Sequence, residues 1–235
     1  MKKIVLFLAL IVVLALILLG FETTRTLSLV TEGIRGLEID AGAGSLTVTG
    51  LEGSGSIEVR AEVIASGVAD RDLEDYIKRH VELELRRSGD RAVLVSHVRD
   101  SGFSFFHQEA RIDLTVTVPK ALALEIVDGS GSLDVAHIGG AVYIHDGSGS
   151  ITVIDLAGNL EIQDGSGGID VQDVAGDVTV TDGSGGISLR RVGGTVTVSD
   201  GSGGIEVDDV GKDVHLRRTG SGGVDVTNVK GRVIR

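Results

Sequence analysis

The chain lacks several residue types on which common folds and sites depend. Its 235 residues include no cysteine, no tryptophan and one proline, against 35 glycines. The absence of cysteine excludes disulfides, thiolate metal ligands, cysteine nucleophiles and a lipid-modified N-terminal cysteine. Aromatic residues make up only 3% of the chain, so its core must be filled by Val, Ile and Leu.

Positive charge is also scarce. The formal net charge is −12, and a body this acidic repels nucleic acid and anionic lipid. We therefore exclude nucleic acid as a partner. Such a surface suits solubility, and it would attract divalent cations or basic partners.

The chain has one long hydrophobic run. Lys2 and Lys3 precede an uninterrupted apolar stretch from Ile4 to Leu19. A basic start followed by an apolar run is typical of an export signal, and its length approaches the roughly 20 residues that span a bilayer. We predict that residues 1–24 form a signal peptide or an uncleaved anchor helix, with residues 4–21 in the membrane. The body would then be anchored outside the cytoplasm, in the periplasm or extracellular space, or secreted after cleavage.

What the sequence has in abundance is an 18-residue repeat. Each unit opens with an Asp-Gly turn, and the turn aspartates are spaced 18 residues apart: Asp128, Asp146, Asp164, Asp182 and Asp200. A fixed period of this size indicates stacked structural units. Within a unit, apolar residues alternate with period two, as in Ile151 and Val153 and then Leu160 and Ile162. Two short strands per unit, stacked about 4.8 Å apart, bury these columns together.

The repeat therefore predicts an all-β parallel β-solenoid, or β-helix, over residues 25–235, with regular repeats at 128–235. A degenerate first rung begins near residue 35 and includes Ile57 and Val59. We expect an insertion over about 64–111. It would hold an amphipathic helix from Ala69 to His80 and a hairpin that turns at Ser88-Gly89-Asp90.

Several segments resemble one known family. Leu37-Glu-Ile39-Asp40-Ala-Gly-Ala-Gly, the strand Asp113-Leu-Thr-Val-Thr-Val-Pro119 and the Gly-Ser-Gly-x-Ile-x-Val rungs are similar to the bacterial putative-adhesin β-strand repeat family. The resemblance covers about residues 30–235. It implies an exported, envelope-associated β-solenoid without assigned catalysis, and it carries no active-site residues over to this chain.

Two groups of residues are candidate sites. The five turn aspartates would form a column that shares calcium ions, or each would accept a backbone N–H two residues on and fix an Asx turn. Calcium is the only cofactor that the sequence suggests. The loop residues Phe103, Phe105 and Phe106 would form an exposed apolar tip for a partner, or they would cap the end of the solenoid.

The repeats offer little for catalysis, because they carry no loop insertions and one aromatic residue, Tyr143. We therefore predict a non-enzymatic cell-envelope scaffold or adhesin-like protein whose partner is an envelope protein or a polysaccharide. The alternative is a scaffold that assembles head to tail through its C-terminal rung at Val233–Ile234. A calcium-binding repeat protein and a polysaccharide-active β-helix enzyme are weaker alternatives.

Overall fold

The structure is a computed structural model that describes residues 18–19, 22–65, 70–99 and 110–235. Its N-terminal part contains eight strands and one helix: β1 Leu18–Leu19, β2 Glu22–Val30, β3 Gly36–Ala43, β4 Leu46–Leu51, β5 Ser56–Ala65, α1 Asp70–His80, β6 Val81–Ser88, β7 Arg91–Val98 and β8 Ala110–Pro119. The helix and the hairpin turn at Gly89 lie where the sequence predicts them.

The regular repeats form the remaining strands. These are β9 Ala123–Ile138, β10 Val142–Leu156, β11 Leu160–Asp164, β12 Gly167–Val174, β13 Val178–Asp182, β14 Gly185–Val192, β15 Val196–Asp200, β16 Ile205–Val210, β17 Val214–Thr219, β18 Val224–Val229 and β19 Val233–Ile234. β9 and β10 each continue as a strand through the Asp-Gly corner, where Gly131 and Gly149 have φ values of 136° and 143°. Each of these two strands therefore contributes to both of the sheets, here called walls, that enclose the core.

Successive rungs pair in parallel and in register. Tyr143 of β10 lies between Glu125 and Glu161, and Ile151 lies between Leu133 and Ile169. The first wall contains β3, the first halves of β9 and β10, and then β11, β13, β15, β17 and β19; the second wall contains β4, the second halves of β9 and β10, and then β12, β14, β16 and β18. The predicted parallel β-solenoid with 18-residue rungs is thus confirmed.

Apolar columns fill the space between the walls. From Leu124 to Leu216, the inward Val, Ile and Leu residues are each at most 4% exposed. Burying one such side chain contributes roughly 1.5–3 kcal/mol, and a single rung has no second layer against which to bury its own. The core is therefore a property of the stack, which is why the repeats must continue in register.

The last full rung contains an extra residue, which the sequence shows as a 19-residue step from Ile205 to Val224. The structure accommodates it as a bulge: Val198 pairs with Leu216, whereas Ser199 pairs with Arg218. Beyond the bulge, Ile205 and Val224 are again paired. The inserted residue is thus absorbed as a bulge within β17, ahead of the corner, and the strands of the second wall keep their register.

The N-terminal part differs from the predicted insertion. β7 pairs in parallel with β3, and β8 pairs in parallel with β4, so both strands extend the walls of the solenoid. β5, which carries Ile57 and Val59, is not part of a degenerate rung, because it pairs antiparallel with β2 and β8. Period-two alternation is the same for parallel and antiparallel strands, so the sequence pattern could not distinguish them.

The predicted N-terminal hydrophobic helix falls almost entirely outside the described residues. Of that segment, the structure describes only Leu18–Leu19, a two-residue strand that pairs antiparallel with Glu22 and Thr23. Across the ranges that the structure describes, we found no helix that combines the length and the apolar character needed to cross a membrane.

Candidate functional site

The column of turn aspartates is buried at the corner between the two walls. Asp128, Asp146, Asp164, Asp182 and Asp200 are between 0 and 7% exposed. Their parallel pairing places each carboxyl directly above the next at rung spacing. Carboxyl groups this deeply buried are unusual, because an ionised carboxylate loses its hydration when it enters a protein interior.

One oxygen of the carboxyl fixes the corner. Oδ1 of Asp164, Asp182 and Asp200 accepts the backbone N–H of the serine two residues on, at 3.2, 3.1 and 2.9 Å. These are Asx turns. In the part of the chain that the structure describes, Oδ2 of every aspartate in the column is buried and has no hydrogen-bond partner. The Asx-turn interpretation of the repeat is confirmed for these three rungs.

Burial changes the acidity of the column. Burial raises the pKa of Asp128 to about 7, and the negative charge of Asp146 is the second, smaller cause of this rise. Burial and the charge of Asp164 raise the pKa of Asp182 to about 6. Burial also raises the pKa of Asp146 and Asp164. Protons are therefore held in the column at pH values where ordinary aspartates have lost them.

The calcium hypothesis for this column stays a prediction. Among the described residues, no three His, Asp or Glu side chains are grouped as a metal ion would require, and calcium takes six to eight oxygen ligands. If calcium did occupy the column, added calcium should raise the melting temperature and a chelator should lower it. An unchanged melting temperature in both conditions would contradict calcium binding.

A second corner carries a column that the sequence analysis missed. Six non-glycine residues there have φ between 52° and 61°: His137, Asp155, Asp173, Arg191, Asp209 and Asn228. These values lie in the left-handed region, which Asn, Asp and Gly tolerate best. A signal for this column was present in the sequence, since Asp or Asn occupies four of the six positions, each directly before a residue of an apolar column.

Neighbouring members of this corner column form ion pairs. Arg191 Nε donates to Asp173 Oδ1 at 2.6 Å and Nη2 donates to Oδ2 at 2.8 Å, so the pairing is bidentate. His137 Nδ1 lies 2.7 Å from Asp155 Oδ2. The hydrogen bonds from Arg191 lower the pKa of Asp173. Since these groups are exposed, the pairs order the corner more than they stabilise the fold.

Replacing Asp209 by Val should destabilise the protein by about 1–2 kcal/mol, because a β-branched residue is strained at the φ of 56° found there. Asp209→Gly removes the same carboxylate without that strain, and it should unfold at the wild-type urea concentration or slightly above. Urea unfolding of both variants checks this. Equal losses in the two variants would mean that the carboxylate, and not the backbone conformation, matters at Asp209.

The outer face of the first wall carries a groove of about 470 Å³ around Tyr143. Glu125 and Glu161 flank Tyr143 in register on the neighbouring strands. Thr179 follows Glu161 on β13, and Arg91 of β7 lies at one end of the groove, where its Nη2 donates to Glu125 Oε2 at 2.7 Å. The groove thus combines an aromatic ring, carboxylates and a hydroxyl on one surface.

The predicted partner-binding residues Phe103, Phe105 and Phe106 lie outside the described residues, so the choice between an apolar tip and an end cap stays open as a prediction. The predicted site residues that the structure does describe, the five turn aspartates, do not line the groove at Tyr143, because they are buried at the corner.

Fold and surface together define a parallel β-solenoid with Asx turns at three of its buried corners and with outer wall faces that are open to solvent. No family model matches the chain, and no curated protein matches it.

Solved structures that are similar to the chain include the following three. They are a "putative cell adhesion protein" from Clostridium sporogenes (13% identity, TM-score 0.44, covering 88% of this chain and 99% of the other), a "putative adhesin" from Parabacteroides distasonis (15%, 0.41, 91% and 96%) and a "putative adhesin" from Bacteroides fragilis (10%, 0.33, 90% and 97%). These names agree with the family that the sequence resembles.

Proposed function

We propose that this chain is a non-enzymatic, adhesin-like interaction scaffold of the cell envelope. The observation that carries the proposal is the in-register stacking of the outward residues of the walls. On the first wall, Thr179 pairs with Thr197, and Thr181 pairs with Ser199. Each outward position becomes a row of side chains about 4.8 Å apart, and such rows suit contact with an extended or repetitive partner.

The filled interior and the grooves on the outer surface support this proposal. Apolar columns fill the interior between the walls, whereas grooves of about 470 to 620 Å³ lie on the outer surface. Enzyme sites generally enclose their substrate in order to exclude water. A surface groove on a rigid wall is better suited to holding a partner than to chemistry on it.

The N-terminal sequence supports location in the envelope. Lys2 and Lys3 before the apolar run from Ile4 to Leu19 are typical of an export signal. An anchored solenoid would place its walls outside the cytoplasm, where envelope proteins and polysaccharides are the available partners. Fractionation of cells that express the full chain, combined with protease accessibility, tests this location. A chain found only in the cytoplasmic fraction would contradict it.

Binding of the purified full chain to isolated envelope material tests the function itself. We expect saturable binding that exceeds the binding of an equally acidic control protein. An amount bound that does not saturate, or that equals the control, would contradict an adhesin-like role.

A second candidate function is head-to-tail assembly of solenoids. The exposure of Val233 and Ile234, at 44% and 38%, favours it, because uncovered strands are templates for strand addition. Arg232 is held by Asp213 through an Nη2–Oδ2 hydrogen bond of 2.8 Å beside these strands. Sedimentation at increasing concentration should reveal growing species, and Ile234→Lys should suppress them. A monomer at all concentrations would contradict assembly.

A further inference from the structure

Tyr143 has an unusual environment for this protein. The walls are built almost without aromatic residues, and the tyrosine lies on the outer side of the first wall between two glutamates. It is half-buried, whereas the chain's other tyrosine, Tyr76, is only 8% exposed and belongs to the core. Inward positions of the same strand are occupied by Val142 and Ile144, so the core does not require Tyr143.

The groove around Tyr143 follows the long axis of the solenoid. Apart from Arg91 of β7 at one end and the turn residues that precede the strands, its lining comes from β9, β10, β11 and β13, four neighbouring strands of the first wall. At about 4.8 Å per strand, the groove extends for roughly 14 Å. One pyranose unit of an extended β-linked polysaccharide is close in length to one rung. A sugar chain lying in the groove would therefore meet equivalent positions of successive rungs with successive units.

The chemistry of the lining restricts the ligand further. Glu125 and Glu161 supply carboxylate oxygens, which accept hydrogen bonds from sugar hydroxyls and are stronger acceptors than neutral groups. The aromatic ring offers a flat apolar surface with a polar tip, which matches the mixed character of a pyranose. Arg91 offsets the charge of Glu125, to which it donates a hydrogen bond, whereas Glu161, on a chain of net charge −12, repels anionic polymers.

We propose that the groove formed by Glu125, Tyr143 and Glu161 binds a neutral, extended β-linked polysaccharide. Such a polysaccharide would be the partner of the adhesin-like scaffold proposed above, and the inference rests on that proposed function. Tyr143 provides the contact with the sugar ring, and the two glutamates fix the register of the sugar chain by accepting its hydroxyl hydrogens.

Calorimetric titration of the full chain with long β-1,4-linked oligomers of N-acetylglucosamine and of glucose tests this site, with an oligogalacturonate as the anionic control. We expect binding of at least one neutral oligomer and weaker binding of the anionic one. The chain has no tryptophan and Tyr76 is in the core, so a change in tyrosine fluorescence on binding should come from Tyr143.

Variants locate the site. Tyr143→Ala should weaken the binding of the neutral oligomer about tenfold or more, whereas Tyr143→Phe should stay within a few-fold of wild type. Thr181→Ala is the matched control, since Thr181 is exposed on the same wall but does not line the groove. If Tyr143→Ala fails to fold, Glu161→Lys replaces it and should likewise weaken binding about tenfold or more.

Two kinds of result would overturn the proposal: no binding of either neutral oligomer by the wild type, or equal binding by wild type and Tyr143→Ala. Envelope binding that protease treatment of the envelope abolishes, and glycan removal does not, would overturn it in favour of a protein partner. The adhesin-like function fails separately, when the wild type binds no envelope material. If wild type and Tyr143→Ala bind the envelope equally, the function stands and the groove proposal fails.

Discussion

Replacing Gly167 by Ala is expected to destabilise the solenoid by about 4 kcal/mol or more. Gly167 has a φ of 147°, in a region that only glycine adopts readily. A Cβ at this position would also overlap the carbonyl oxygen of Gly149 in the preceding rung. Both the strain and the overlap involve backbone, which cannot move without breaking the parallel ladder, so the loss belongs among the largest for single substitutions.

Gly168 provides the matched control for this prediction. A Cβ on Gly168 meets nothing within 4 Å, and its in-register partner in the preceding rung is Ser150. Gly168→Ala should therefore change the free energy of unfolding by about 0.5 kcal/mol or less. Urea unfolding of the two variants measures the contrast. Comparable losses in the free energy of unfolding at Gly167 and Gly168 would contradict the inference that the corner depends on the backbone conformation of Gly167.

The second large effect concerns pH. We expect the wild-type protein to lose stability as pH rises from about 4 to 8. The pKa of Asp128 in the folded protein is raised to about 7 and that of Asp182 to about 6, whereas an unfolded aspartate titrates near 3.9. The folded state therefore holds more protons than the unfolded state in this range, and stability falls as those protons leave. The full stabilisation is present only below the unfolded pKa.

Asp182→Asn should remove the contribution of Asp182 to this loss of stability at high pH. The amide keeps an oxygen that accepts the N–H of Ser184, and its NH₂ can donate to a carboxylate of a neighbouring rung. The variant should be more stable than wild type at pH 8, by on the order of 2 kcal/mol, and about equal to it at pH 4.

The control for this variant is Asp134→Asn, which removes the same charge from an exposed position on the second wall. It should leave the pH dependence unchanged. A wild type whose stability is constant from pH 4 to 8, or an Asp182→Asn variant less stable than wild type at pH 8, would contradict a proton-holding column.

Local patterns in the sequence predicted the solenoid well, because the same residue pattern occurs in one rung after another. The 18-residue spacing and the Asp-Gly corner recur from Asp128 to Asp200 together with the apolar columns, so each of these units confirms the others. The helix before β6 and the turn at Gly89 are also local features, and they could be predicted for the same reason.

The features that the sequence did not predict depend on long-range pairing. The placement of β5 against β2 and β8 depends on partners that lie elsewhere in the chain. Burial of the Asp182 carboxyl follows from how the two walls meet at the corner, and no single unit encodes it. The groove at Tyr143 exists only because the parallel register places Glu125 and Glu161 on either side of it.

We infer that the repeated aspartate forms a buried, proton-holding corner, and we propose that ligand contact occurs on the walls. The most direct test is a carbon-13 NMR titration of the aspartate carboxyl groups in the folded chain. We expect a midpoint near pH 7 for Asp128 and near pH 6 for Asp182, with little response of either signal to neutral oligosaccharide. Midpoints near pH 4, as in an exposed aspartate, would contradict it.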